Sequence, residues 1–120
     1  MPPRRNPLRG EIWFVARHSD PGGKGARPVV VVSADPRNRN ERADTVLVVP
    51  LSTSVHKLAP AHVFLPAGET GLPTDSAARA DSVTTVRKAE LLEPRSGLRC
   101  LSNSRICQFA EATRLAMDCP

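Results

Sequence analysis

Apolar residues along this chain come in short runs, separated by proline, glycine and charged residues. The clearest run is Val29-Val30-Val31-Val32, whose β-branched side chains are stiff and pack well on a pleated surface. It predicts a strand from Val29 to Ser33, buried on both faces, with Pro28 at its first position, where proline is tolerated. Ile12–Ala16, Thr45–Leu51 and His62–Pro66 read as further strands. Pro50 places the third strand at a sheet edge, or itself close to the strand's end. From Thr74 the residues alternate: Ala78 and Ala80 share one face of a strand, and Arg79 and Asp81 share the other. The apolar parity changes after Ser82, which calls for a bend or bulge there. Leu92–Pro94 is a short final strand.

The connecting segments are equally legible. Arg17–Ala26 holds three glycines and a proline and is a loop of the kind that serves as a binding lid. Asp35–Arg42 is a turn or a single helical turn, with Asp35 as its N-cap and Pro36 first inside. Ala67–Pro73 is a turn, and Arg87–Leu91 one helical turn. The period changes at the end of the chain. Leu101, Ile106, Phe109, Ala110, Thr113 and Met117 fall at helical spacings and predict an amphipathic helix over about 104–116, with Ser102 to Ser104 as caps. Five or six short strands and one terminal helix make a mainly β protein, a small and strongly bent antiparallel sheet or barrel.

Composition narrows the partners. Twelve prolines in 120 residues favour short elements and fixed turns. Lys and Arg outnumber Asp and Glu by 17 to 12, so a polyanion, nucleic acid or an acidic protein segment, is the natural partner. Cys100, Cys107 and Cys119 match no zinc spacing, and reduced structural thiols suit a cytoplasmic protein. No apolar run is long enough for a membrane span. Residues 1–7 read as a disordered basic tail and 8–120 as a single domain.

Five pieces stand in a telling order: Arg9-Gly10-Glu11-Ile12-Trp13, Arg27-Pro28 with the valines and Ser33, Val48-Val49-Pro50-Leu51-Ser52-Thr53, Gly71-Leu72-Pro73-Thr74-Asp75-Ser76, and Asp81-Ser82-Val83-Thr84-Thr85-Val86. The series resembles the MazF/PemK/Kid family of type II toxin–antitoxin endoribonucleases, over about Arg9 to Pro94. The resemblance implies a small SH3-like barrel of five to seven strands, a homodimer, and cleavage of single-stranded RNA without a metal or other cofactor. The products would be a 2′,3′-cyclic phosphate and a 5′-hydroxyl. It also implies an antitoxin whose acidic, disordered tail fills the RNA groove.

That reaction needs a base for the 2′-hydroxyl, positive charge on the phosphorane and a proton for the leaving oxygen. Arg27 matches the family's strand-opening arginine. Its guanidinium suits a bidentate grip on phosphate, and its high pKa makes it an electrostatic group rather than an acid. Ser52 falls where many relatives carry a threonine, with Thr53 as the alternative or as an RNA contact. Arg79 and Asp81 match the Arg-x-Asp of the Kid branch, with Asp81 as base and Arg79 on the scissile phosphate. Lys24, Thr85 and His18 complete the expected RNA contacts. His18 stands at a different offset from the family's loop histidine, and Thr84 stands where relatives often have arginine. His56 and His62 read as surface residues. Trp13, the only tryptophan, reads as core or interface rather than a base platform, and the three phenylalanines add little stacking surface, so recognition leans on charge and backbone hydrogen bonds.

Two other readings compete. A non-catalytic SH3-like module that binds nucleic acid or protein would keep the fold and charge without needing Arg79 and Asp81, which would then form a surface ion pair worth under about 1 kcal/mol. A CcdB-like gyrase poison shares the fold but uses a tryptophan near the C-terminus, where this chain has none. Asp81→Ala separates enzyme from module. The enzyme loses RNA cleavage and keeps RNA binding, as gel-based cleavage and a filter-binding titration would register; a module keeps its binding and has no cleavage to lose.

Overall fold

The computed structural model describes residues 5–16, 26–94 and 96–118. Seven strands, β1 (Ile12–Ala16), β2 (Ala26–Val31), β3 (Thr45–Ser52), β4 (His62–Leu65), β5 (Ser76–Arg79), β6 (Thr84–Arg87) and β7 (Leu91–Leu92), form one antiparallel sheet. Three helices join them: α1 (Asp35–Asn38), α2 (Ala67–Thr70) and α3 (Asn103–Met117). The sheet order is β4-β5-β3-β2-β1-β7, with β6 also on β3. The mainly β class and the terminal helix are as the sequence predicts. The barrel does not close, because among the described residues no pairing joins β4 to β7.

β3 is the hub, not an edge. One side pairs with β2, Val29 to Val31 against Pro50 to Val48. The other side serves two strands in turn, β6 along Thr45–Val48 and β5 along Leu51–Ser52. The Val32 N–H donates to the Leu47 carbonyl, so alternation turns the nitrogen of Pro50 away from β2. It faces the changeover between β6 and β5, where no ladder bond is needed. Pro50 thus lies near the end of its strand, the second of the two places the sequence allows. Pro28 is the third residue of β2 rather than its first. Its nitrogen faces β3 at the register position opposite Leu51, and it has no N–H to give. The β2–β3 ladder stops there, and the two strands part.

Apolar residues pack on both faces of this sheet. On one face Ile12, Val30, Val49, Leu51, Leu65 and Ala78 meet Leu101, Ile106, Phe109 and Ala112 of the C-terminal segment. On the other, Trp13, Val29, Val31, Val46, Val48 and Leu91 form a second cluster. Helix α3 is capped as predicted, with Ser102 Oγ accepting from the Arg105 N–H at 3.2 Å. Ala112, not Ala110, completes its buried stripe, and Met117 is 74% exposed. Gly71 ends α2 in the left-handed conformation at φ 81° and lies so close to the Gly97 backbone that a Cβ would collide with its carbonyl. That turn aims Leu72-Pro73-Thr74 back at the sheet.

Other details depart from expectation. α1 has Ala34 as its N-cap with no side-chain bond. Asp35 instead accepts from the Arg9 N–H at 2.8 Å and from Asn38 Nδ2 at 3.2 Å. The Arg9 bond holds the Asp35 carboxyl below the usual range. The bend placed near Ser82 begins two residues earlier, as a 3₁₀ turn over Ala80–Ser82. The loop at Arg17–Gly25 lies outside the described residues, as do Met1 to Arg4. Of the expected tail, Arg5 and Pro7 touch the body of the protein. Arg5 binds Glu11 at 2.7 Å and stacks 4.9 Å over the Trp13 ring, and Pro7 is buried. Trp13 is core, as expected.

Helices α2 and α3 are tied by a bidentate pair, Arg105 Nε and Nη2 donating to Glu69 Oε2 and Oε1 at 2.8 and 2.9 Å. The Arg105 guanidinium holds the Glu69 carboxyl below its ordinary value. A lowered folded pKa gives stability that is complete above the unfolded pKa and is lost as pH falls through the folded one. Glu69→Gln therefore unfolds in urea with about 1 kcal/mol less stability than wild type at neutral pH. The gap closes once pH drops below the carboxylate range; a gap unchanged at low pH would deny the pair its electrostatic role.

Candidate functional site

The parting of β2 and β3 is the feature that makes a site. Beyond Pro28 and Leu51 the next residues in the same register are Arg27 and Ser52. Alternation puts both side chains on one face, opposite each other across the gap. The opening is a cleft of about 270 Å³ lined by buried Phe14 and Leu51, by Pro28, Leu72 and Pro73, and by Arg27, Ser52, Thr53, Thr74 and Ser76. Its upper wall is the segment that Gly71 turns inward.

A second recess of about 210 Å³ adjoins it and shares Ser52. Its other walls are Ser54, Lys57, His62, Ala77 and Arg79. Register explains the grouping. Ser52 pairs with Ala77, and Arg79 pairs with His62, so all four side chains stand on the face that carries Arg27. The side chains of Arg27 and Arg79 are exposed and make no hydrogen bond or ion pair within the described residues. Ser52 Oγ accepts from the Ser54 N–H at 3.1 Å and keeps its own proton to donate. Two unpaired guanidiniums flanking a hydroxyl are a set for a phosphodiester.

Asp81 lines neither recess and touches the site only through His62. β5 ends at Arg79, and Asp81 sits in the 3₁₀ turn, so the two do not share a strand face. No ion pair joins them among the described residues. Asp81 Oδ1 lies instead 3.4 Å from His62 Nε2. His62 is no surface residue: its side chain is 14% exposed, and its Nδ1 accepts from the Ala59 N–H at 3.2 Å. His62 and Lys57 are the site residues that sequence reasoning missed. The signal for His62 was its place at the start of a strand, but only the β4–β5 register sets it opposite Arg79.

The remaining expectations divide. Thr53 lines the first cleft. Thr85 pairs with Leu47 on β6, several residues from the divided end of β3 and on the opposite face from Ser52. It is not part of the cleft, because β6 pairs only with the first half of β3. Lys24 and His18 fall outside the described residues. A third recess, about 300 Å³ between α3 and the sheet, is lined by Val32, Leu47, Val49, Ile106 and Phe109. Its one charged residue, Arg9, is bonded to the Val32 carbonyl and to Asn103, and the rest of its lining is almost wholly apolar. Among the described residues no group of three or more His, Cys, Asp or Glu could hold a metal ion.

The sequence profile of PemK-like, MazF-like toxins of type II toxin–antitoxin systems matches residues 8–116. The chain belongs to this toxin family. Endoribonuclease MazF9 of Mycobacterium tuberculosis is 34% identical to it, over 92% of this chain and 95% of the relative. A mycobacterial endoribonuclease solved in complex with its cognate antitoxin superposes with a TM-score of 0.66 at 25% identity, covering 98% of each chain. A MazE–MazF structure from Deinococcus radiodurans shares the fold at a TM-score of 0.74 and 18% identity, over 97% of this chain and all of that one. The family's fold is thus realised here with the sheet opened at Pro28.

Because Arg27 and Arg79 support no packing, Arg27→Ala and Arg79→Ala leave stability within about 0.5 kcal/mol of wild type, while each weakens binding of a short single-stranded RNA. Urea titration and fluorescence anisotropy read the two effects; a large loss of stability in either variant would show that its guanidinium is structural.

Proposed function

We propose that this chain is a sequence-specific endoribonuclease, the toxin of a type II toxin–antitoxin pair, and that the divided cleft around Ser52 is where single-stranded RNA is cut. The observation that carries the reading is the set of two free arginines on either side of one hydroxyl, in a chain of the MazF/PemK family. Arg27 and Arg79 hold the scissile phosphate from two sides, and Ser52 donates to one of its oxygens. Asp81 takes the proton from the ribose 2′-hydroxyl. The 2′-oxygen then attacks phosphorus and the bond to the 5′-oxygen breaks, the leaving oxygen taking a proton from solvent in the open cleft, so that a 2′,3′-cyclic phosphate and a 5′-hydroxyl remain. The guanidiniums stabilise the phosphorane because they are charged at every stage and already in place. Lys57 and Thr53 extend the polar track for neighbouring nucleotides.

The partner of such a toxin is an antitoxin whose acidic tail lies in the same cleft and keeps RNA out until it is degraded. The net charge of +5 suits both polyanions. The protein works as a homodimer in the cytoplasm. The fold shared with gyrase poisons gives no support to that alternative, since Trp13 is buried in the core.

Digesting a long defined RNA with purified protein in EDTA, and mapping the new 5′-ends, tests the whole reading. The expected result is cleavage at a recurring short motif, leaving 5′-hydroxyl ends. No cleavage under any RNA or metal condition would overturn it. Affinity for uncut RNA, measured with Asp81→Ala, should fall about 20-fold between 50 and 200 mM salt if three cationic side chains contact phosphate; a flat response would remove the electrostatic part.

A further inference from the structure

We infer that His62 is a positioning residue for Asp81, an inference that rests on the cleft being the RNA-cleaving site. Its Nδ1 accepts the Ala59 N–H at 3.2 Å, so in the neutral ring the proton sits on Nε2. Nε2 is shielded from solvent and is the one buried side-chain nitrogen or oxygen of the described residues without a hydrogen bond. The group it faces is Asp81 Oδ1, 3.4 Å away. The line runs one way: Ala59 N–H to Nδ1, then Nε2–H towards the carboxylate. The ring cannot act as the base itself, since one nitrogen is occupied and the other holds its proton towards Asp81.

The backbone explains why such a support is needed. Asp81 lies in a 3₁₀ turn beyond the end of β5, and its side chain is 38% exposed. The turn gives it no neighbour on its own strand. His62, by contrast, is fixed on β4 and paired with Arg79. It therefore holds Asp81 at a set place relative to the arginine proposed to grip the phosphate. With Oδ1 facing the imidazole, Oδ2 makes no hydrogen bond within the described residues and is left for the 2′-hydroxyl. Contact with RNA is made by Asp81; His62 acts only through it.

Three substitutions divide the two ends of the ring. Glutamine places its amide N–H near the position of Nε2 and keeps the donor to Asp81. Asparagine places its amide near Nδ1 and keeps only the Ala59 end. Phenylalanine keeps neither. In single-turnover cleavage, His62→Phe and His62→Asn should lose roughly 10- to 100-fold in rate with RNA affinity unchanged, and His62→Gln should stay within a few-fold of wild type. In an Asp81→Asn background His62→Phe should cost nothing more, because the two act as one unit. Equal rates for Gln and Asn, losses that follow thermal stability instead of the donor, or full additivity with Asp81→Asn would overturn the inference. Asp81→Asn with undiminished cleavage would instead overturn the base assignment, whereas an inactive Asp81→Asn beside a fully active His62→Phe overturns the positioning role alone.

Discussion

A strand has two edges, and β3 has three partners. That constraint organises this protein. One edge is filled by β2, and the other must be divided between β6 and β5. A division of this kind leaves backbone groups without a ladder, which is costly when they are donors buried away from water. Pro50 meets that cost at the changeover by having no donor there. Pro28 acts differently, since its missing N–H ends a ladder that its neighbours would otherwise continue. The core on either face holds the strands together up to that point, and the site begins where the hydrogen bonds stop.

Much of this was legible in the chain. The valine run, the helix capped at Ser102 and the tight turn at Gly71 are local signals, and local signals survive into the fold. Arg27 and Ser52 line one cleft, although the sequence places them on different strands and says nothing of their register. What could not be read was pairing. Nothing in Thr45–Ser52 announces that the strand will change partners, and a proline near its end reads equally well as an edge. The i, i+2 argument for Arg79 and Asp81 failed for a related reason. It needs the strand to continue, and β5 ends at Arg79. Asp81 sits in the turn that follows, and its neighbour is His62, nineteen residues earlier and on the adjoining strand, a relation that no spacing rule within one strand supplies.

The electrostatics follow the same division between structure and function. Charges that hold the fold are paired: Arg5 with Glu11, Arg105 with Glu69, Arg9 with carbonyl and amide oxygens. The arginines of the cleft are not. A free guanidinium on a fixed strand gives the folded state little, because its charge is solvated before and after folding. It gives a binding site a great deal, because no internal partner has to be displaced when a phosphate arrives. Rigidity comes from β2 and β5 and charge from their ends, so neither has to be assembled when substrate binds.

The gap at Pro28 has one more consequence. An opening between two strands is an invitation to a third, and exposed ladder groups are how chains add to each other edge to edge. Here the residue at the mouth of β2 offers a carbonyl but no donor. A passing peptide finds no continuous row to zip onto, and whatever enters must be held by its side chains or its charge. The same proline that opens the groove closes it to stray strands.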